Sequence, residues 1–134
     1  MSYVHPKLRA FTENLEELFH QVDEELEDQY GGRFPLHPNR PPRGETANPE
    51  MDGLFEVAPD FTPGLGSENG RGYLVSLRLA TLEKVPPEDF EALMVRAAEL
   101  VKERLPRFFP GRLLHVVRDG PRFKITGDLS LGEV

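Results

Sequence analysis

Leu8, Phe11, Leu15, Leu18, Phe19, Val22 and Leu26 recur at spacings of three and four. That period puts them on one side of a helix from about Pro6 to Tyr30. Pro6 suits a first turn, and Gly31-Gly32 supplies a left-handed stop. Glu13, Glu16, Glu17, Asp23, Glu24, Glu27 and Asp28 are expected on the opposite face, toward solvent. Part of the apolar stripe also fits a heptad seam, but over only about two heptads, fewer than a coiled coil needs. A helix lying on a sheet is the expectation.

The period then changes from helical to alternating. Gly53 to Ala58 reads as a short strand and Tyr73 to Leu82 as a longer one, with Tyr73, Val75, Leu77 and Leu79 on one face. Pro86-Pro87 followed by Glu88-Asp89 opens a second helix, whose stripe is Phe90, Leu93, Ala97, Leu100, Val101 and Leu105. Pro106 and Pro110-Gly111 are expected to stop it. Arg112 to Arg118 and Pro121 to Thr126 form a hairpin about an Asp119-Gly120 turn of the primed type. That turn pairs Val116 with Phe123 and Leu114 with Ile125 on the buried face. His115 then faces Lys124, and Val117 faces Arg122, on the other. Weak alternation at Leu129 and Leu131 suggests one more edge strand in Gly127 to Val134. The fold expected for residues 1–134 is a single α+β domain: a two-layer sandwich with a four-stranded antiparallel sheet of two hairpins and two helices on one face, in the order α-loop-ββ-α-ββ.

Composition removes several chemistries. The chain has no cysteine, so disulfides, thiolate catalysis and Cys-based zinc sites are excluded. Neither a secretory leader nor an apolar run of the roughly 18 to 20 residues that span a membrane is present, and a cytoplasmic protein without membrane partners is expected. A net charge of −7 disfavours nucleic acid. The charge is uneven: residues 5–30 carry two cations against eight carboxylates, whereas residues 104–124 carry six cations against Asp119. Such asymmetry is met within the fold or between protomers, and with the strand edges two hairpins leave it suggests a homodimer.

Between the two amphipathic patterns lies Gly31 to Gly72, rich in glycine and proline and holding Arg33, His37, Arg40, Arg43 and Arg71. A loop of that length inside one domain tends to be functional or disordered. Proline would stiffen His37 to Gly44 into an extended path that presents its guanidinium groups to an anionic small molecule or an acidic peptide. The competing reading wraps the segment round the domain, its arginines pairing with the acidic first helix. Six acids in the same stretch argue against a strongly cationic patch. Gly64 to Gly72 joins two strands and lacks the lysine of a P-loop, so it reads as a hairpin connection rather than a phosphate cradle.

Glu17 and His20 have the Glu-x-x-His spacing of di-metal bundles but no second copy, and the four histidines show no metal spacing. No metal, no cofactor and no catalytic residue is assigned. The leading reading is a small binding protein whose ligand residues are Arg33, His37, Arg40, Arg43 and Arg71. One alternative is an enzyme on a small anionic substrate, with His37, Glu50 or Asp52 as acid and base. Another is a small acidic chaperone of the secretion type, which would expose an apolar groove.

Overall fold

A computed structural model describes residues 6–65 and 70–129. The elements are α1 (Pro6–Tyr30), β1 (Phe55–Thr62), β2 (Gly72–Leu79), α2 (Pro87–Phe108), β3 (Leu114–Asp119) and β4 (Arg122–Gly127), with a 3-10 turn at Pro49–Met51. The four strands form one antiparallel sheet in the order β1-β2-β4-β3, so β1 and β3 are its edges among the described residues. The expected two-layer α+β fold and its α-ββ-α-ββ order are those observed. Residues 66–69 of the Gly64 to Gly72 connection and the strand suggested around Leu131 lie outside the described residues.

Leu15, Leu18, Phe19, Val22 and Leu26 of α1 and Leu93, Ala97, Leu100 and Val101 of α2 pack on Phe55, Val57, Val75, Leu77 and Ile125 of the sheet. Each large side chain buried here is worth about 1.5–3 kcal/mol over leaving it exposed. Arg104 of α2 pairs with Glu25 of α1, and Arg43 and Arg118 pair with Asp28 and Glu91. Part of the uneven charge is therefore balanced inside the chain.

Four local expectations are corrected. First, β1 continues through Pro59 to Thr62. Ala80 N–H donates to the Leu54 carbonyl, so even-numbered positions of β1 bond to β2 and odd ones turn their N–H to the open edge. Pro59 is odd, and there its missing donor costs the ladder nothing. Second, α2 passes through Pro106 and ends at Phe108, because a proline in the last turn removes only one bond before the helix stops. Third, the hairpin pairs Asp119 with Arg122 and Val116 with Ile125, which makes Gly120-Pro121 the turn. Among the described residues only glycines have positive φ, and Gly120 takes +62°. A two-residue turn with glycine first and a proline at its fixed negative φ suits the II′ geometry, whereas the primed turn first expected would need Asp119 at positive φ. The shift is two residues in register, so every side chain keeps its face.

Fourth, Lys124 is buried, although its strand face was expected to be open. Its Nζ donates to the Gly70 carbonyl at 2.6 Å and pairs with Asp119 at 2.9 Å. Gly70, at the end of the β1–β2 connection, thus lies against Lys124 on the outer face of the sheet.

Candidate functional site

The segment from Gly31 to Leu54 is tied down along its length by backbone bonds. His37 N–H donates to Ala80 O at 2.7 Å, and Gly53 N–H donates to Pro41 O at 3.0 Å. Between these ties Arg40 turns inward. Its Nε donates to Gly53 O, and its terminal nitrogen reaches the carbonyls of Glu50, Asp52 and Phe55 at 2.6, 3.2 and 3.3 Å. A guanidinium offers five N–H donors in a rigid fork, so it can gather several carbonyls that would otherwise face one another unpaired.

Asp52 performs the converse task. Its Oδ2 accepts from Gly44 N–H, Thr46 N–H and the Thr46 hydroxyl, while the residue is 3% exposed. Arg43 lies on the surface, paired with Asp28 at 2.7 Å and donating to the Glu24 carbonyl. Arg43 therefore takes the wrapping geometry, paired with the acidic first helix, whereas Arg40 binds backbone carbonyls of residues 50–55.

Two acids expected to face solvent are buried, Asp23 at 0% and Glu27 at 9% exposure. The cause is the open edge of β1. Glu27 Oε1 accepts Phe55 N–H at 2.8 Å and Asp23 Oδ2 accepts Val57 N–H at 3.2 Å. Helix spacing of four and strand spacing of two bring both acceptors to successive edge donors. Burial, with Glu27 and Asp52 adding repulsion, pushes the Asp23 carboxyl up to about 8, against the pull of the Val57 N–H and Arg40. Asp23 Oδ1 is buried without a hydrogen-bond partner.

Two cavities flank the segment. One, of about 130 Å³, lies between α1 and residues 43–52 and is lined by Asp23, Glu27, Asp52, Arg43 and Thr46. The other is more open, about 330 Å³, and is lined by His37, Asn39, Arg40, Glu56, Arg78 and Thr81. His37 Nδ1 accepts Asn39 N–H at 3.0 Å, which leaves Nε2 as the donor of the neutral ring. Arg78 stands opposite Glu56 in the β1–β2 ladder and forms no ion pair among the described residues.

Of the five residues read from sequence, His37 and Arg40 thus share the open cavity and Arg43 lines the smaller one. Arg33 is exposed, its guanidinium 5.6 Å from the centre of the Tyr30 ring, and Arg71 is exposed near the end of the β1–β2 connection; neither lines the two cavities. Sequence reasoning passed over Arg78, which alternation marks only as a residue on a strand face, and over Asn39 and Thr81. Glu50, Asp52 and His37 do not share a cavity. Among the described residues no three His, Asp or Glu side chains are arranged to hold a metal ion, and no helix is long and apolar enough to cross a membrane.

A family described as "Uncharacterised protein" matches residues 6–127, which include every strand and helix among the described residues. The chain belongs to that family. It is similar to an uncharacterized protein of Borreliella burgdorferi, 42% identical over 123 residues that cover 90% of this chain and 96% of the relative. No solved structure matches it.

Proposed function

We propose that the protein is a small binding protein that takes a carboxylate or phosphate group, carried by a small molecule or an acidic peptide, in the open cavity of His37, Asn39, Arg78 and Thr81. The supporting observation is the pairing of a fixed donor with an uncommitted cation. His37 is held by its own N–H on Ala80 and by Asn39 on its ring, while Arg78 in the same cavity has no carboxylate within ion-pair distance among the described residues. A planar guanidinium beside a neutral imidazole donor suits an oxyanion. Arg40 serves this site from behind, by fixing the segment that carries His37. Glu56 gives the cavity an acceptor as well, so a ligand with a hydroxyl or amino group beside its anionic group fits best.

Within this reading Arg33 and Arg71 are outlying cations that steer an anion, and Arg43 fastens the segment to α1. The acid–base alternative has less support, since its three groups are divided between places. A chaperone-like reading draws on an apolar cleft of about 390 Å³ lined by Leu105, Pro106, Phe109, Leu113 and Leu114. We also take the protein to be cytoplasmic and homodimeric, the dimer forming through β3, the edge that α1 does not line. Calorimetric titration with inorganic phosphate and with glutarate tests the anion reading. Saturable heat that Arg78→Ala removes supports it; heat absent in both proteins rejects it.

A further inference from the structure

The smaller cavity has the opposite polarity. Asp23, Glu27 and Asp52 line it and are at most 9% exposed, yet the neighbouring cations are already engaged. Arg40 faces four backbone carbonyls, and Arg43 holds Asp28 and the Glu24 carbonyl. Each of the three buried carboxylates uses one oxygen for protein donors. Asp23 Oδ1 has none, although a buried carboxyl oxygen without a partner is costly. Something with a hydrogen to donate belongs beside it.

The three carboxylates are not disposed as ligands of a metal ion. A cation that makes directed N–H bonds fits the cavity better, and about 130 Å³ accommodates an ammonium with a short alkyl stem. We propose that this cavity binds a primary ammonium group, one N–H donating to Asp23 Oδ1 and the charge offset by Glu27 and Asp52. The Thr46 hydroxyl, which already donates to Asp52, fixes that wall of the site. Two sources carry this chemistry: a free short-chain amine, or a lysine side chain of another polypeptide entering past Arg43.

The occupant also accounts for the odd ionisation of Asp23. With the cavity empty, burial and the neighbouring Glu27 and Asp52 favour a protonated Asp23, opposed by Arg40 and the Val57 N–H. Glu24, Asp28 and Arg43 complete the charges around the mouth. An ammonium group restores the carboxylate, so binding near neutral pH releases a proton from Asp23.

The test is titration of the full chain with methylammonium, followed by amide NMR at Phe55 and Val57 and by calorimetry in two buffers of different ionisation enthalpy. Saturable shifts at both amides are expected, with buffer-dependent heat that reports proton release. Asp23→Asn keeps an acceptor for Val57 N–H, so it should fold, and it should bind roughly ten- to hundredfold more weakly. Thr46→Ala, away from the β1 edge, should weaken binding to a smaller degree. An acetylated, amidated lysine binding more tightly than methylammonium identifies a polypeptide source; the reverse order identifies a free amine. Tetramethylammonium, which has no N–H, should not compete. The proposal is overturned by shifts that do not saturate, by equal binding of tetramethylammonium, by a response to potassium alone, or by full affinity in a folded Asp23→Asn.

Discussion

Glu27 in α1 accepts the backbone N–H of Phe55 in β1 at 2.8 Å, across 28 positions of sequence. With Asp23 on Val57, it closes half of an exposed sheet edge with helix carboxylates instead of another strand. Edge donors left open invite pairing with a second chain, so the acidic side of α1 has a structural task. Glu27→Ala should cost about 2–3 kcal/mol by leaving a buried N–H unpaired, and Glu27→Gln, which keeps an acceptor, less than half of that. Urea unfolding of the two variants measures the difference; equal losses would mean the carboxylate acts by its charge alone.

The pH dependence of stability should run against the usual behaviour of an aspartate. Asp23 is pushed from an ordinary 3.8 up to about 8 in the folded protein. Below about pH 4 it is protonated in both states and contributes nothing. As pH rises toward 8 the unfolded chain ionises first, and this residue subtracts stability with a limiting slope of about 1.4 kcal/mol per pH unit. Unfolding curves between pH 5 and pH 8 should therefore show a decline that Asp23→Asn flattens. An unchanged slope in that variant would refute the assignment.

Arg40 should matter to folding far more than its neighbours do. Arg40→Ala removes the donor to four carbonyls and should cost about 2–4 kcal/mol. Arg40→Lys should recover little, since an ammonium cannot reproduce the fork. Arg43→Ala breaks one exposed ion pair and should cost less than about 1 kcal/mol. Thermal melting of the set ranks them, and a stable Arg40→Ala would show that the segment holds its path without the clamp.

What the sequence made legible follows the same physics. The apolar stripes of α1 and α2 and the alternation of β2 gave the layers, because burial repeats with the period of each element. The faces of the β3–β4 hairpin were legible too, since its turn was misplaced by an even register step. Asp23 and Glu27 were not, because hydrophobic periodicity records whether a side chain is polar and carries nothing about backbone donors on a strand some 30 residues away. The clamp made by Arg40 is hidden for a related reason: an arginine among prolines looks like a ligand for something outside, and the carbonyls of residues 50–55 that it gathers carry no signal in the sequence. Arg78 was hidden among ordinary strand-face charges, and only the approach of His37 to Ala80 gives it a cavity to line.

Gly120→Ala should test the hairpin turn. The residue sits at a φ of +62° with open space around it, so strain alone is added, about 1–2 kcal/mol. Loss of β3–β4 amide protection in hydrogen exchange should accompany it. Asp119→Asn, in contrast, should leave the turn intact and loosen Lys124.

The most direct measurement on the anion-binding reading is an NMR titration of the His37 ring with inorganic phosphate, in the native protein and in Arg78→Ala. The expected result is a saturable shift of the imidazole resonances as the anion binds, with affinity falling roughly tenfold in the variant. Resonances that do not move, or that move equally in both proteins, would contradict it.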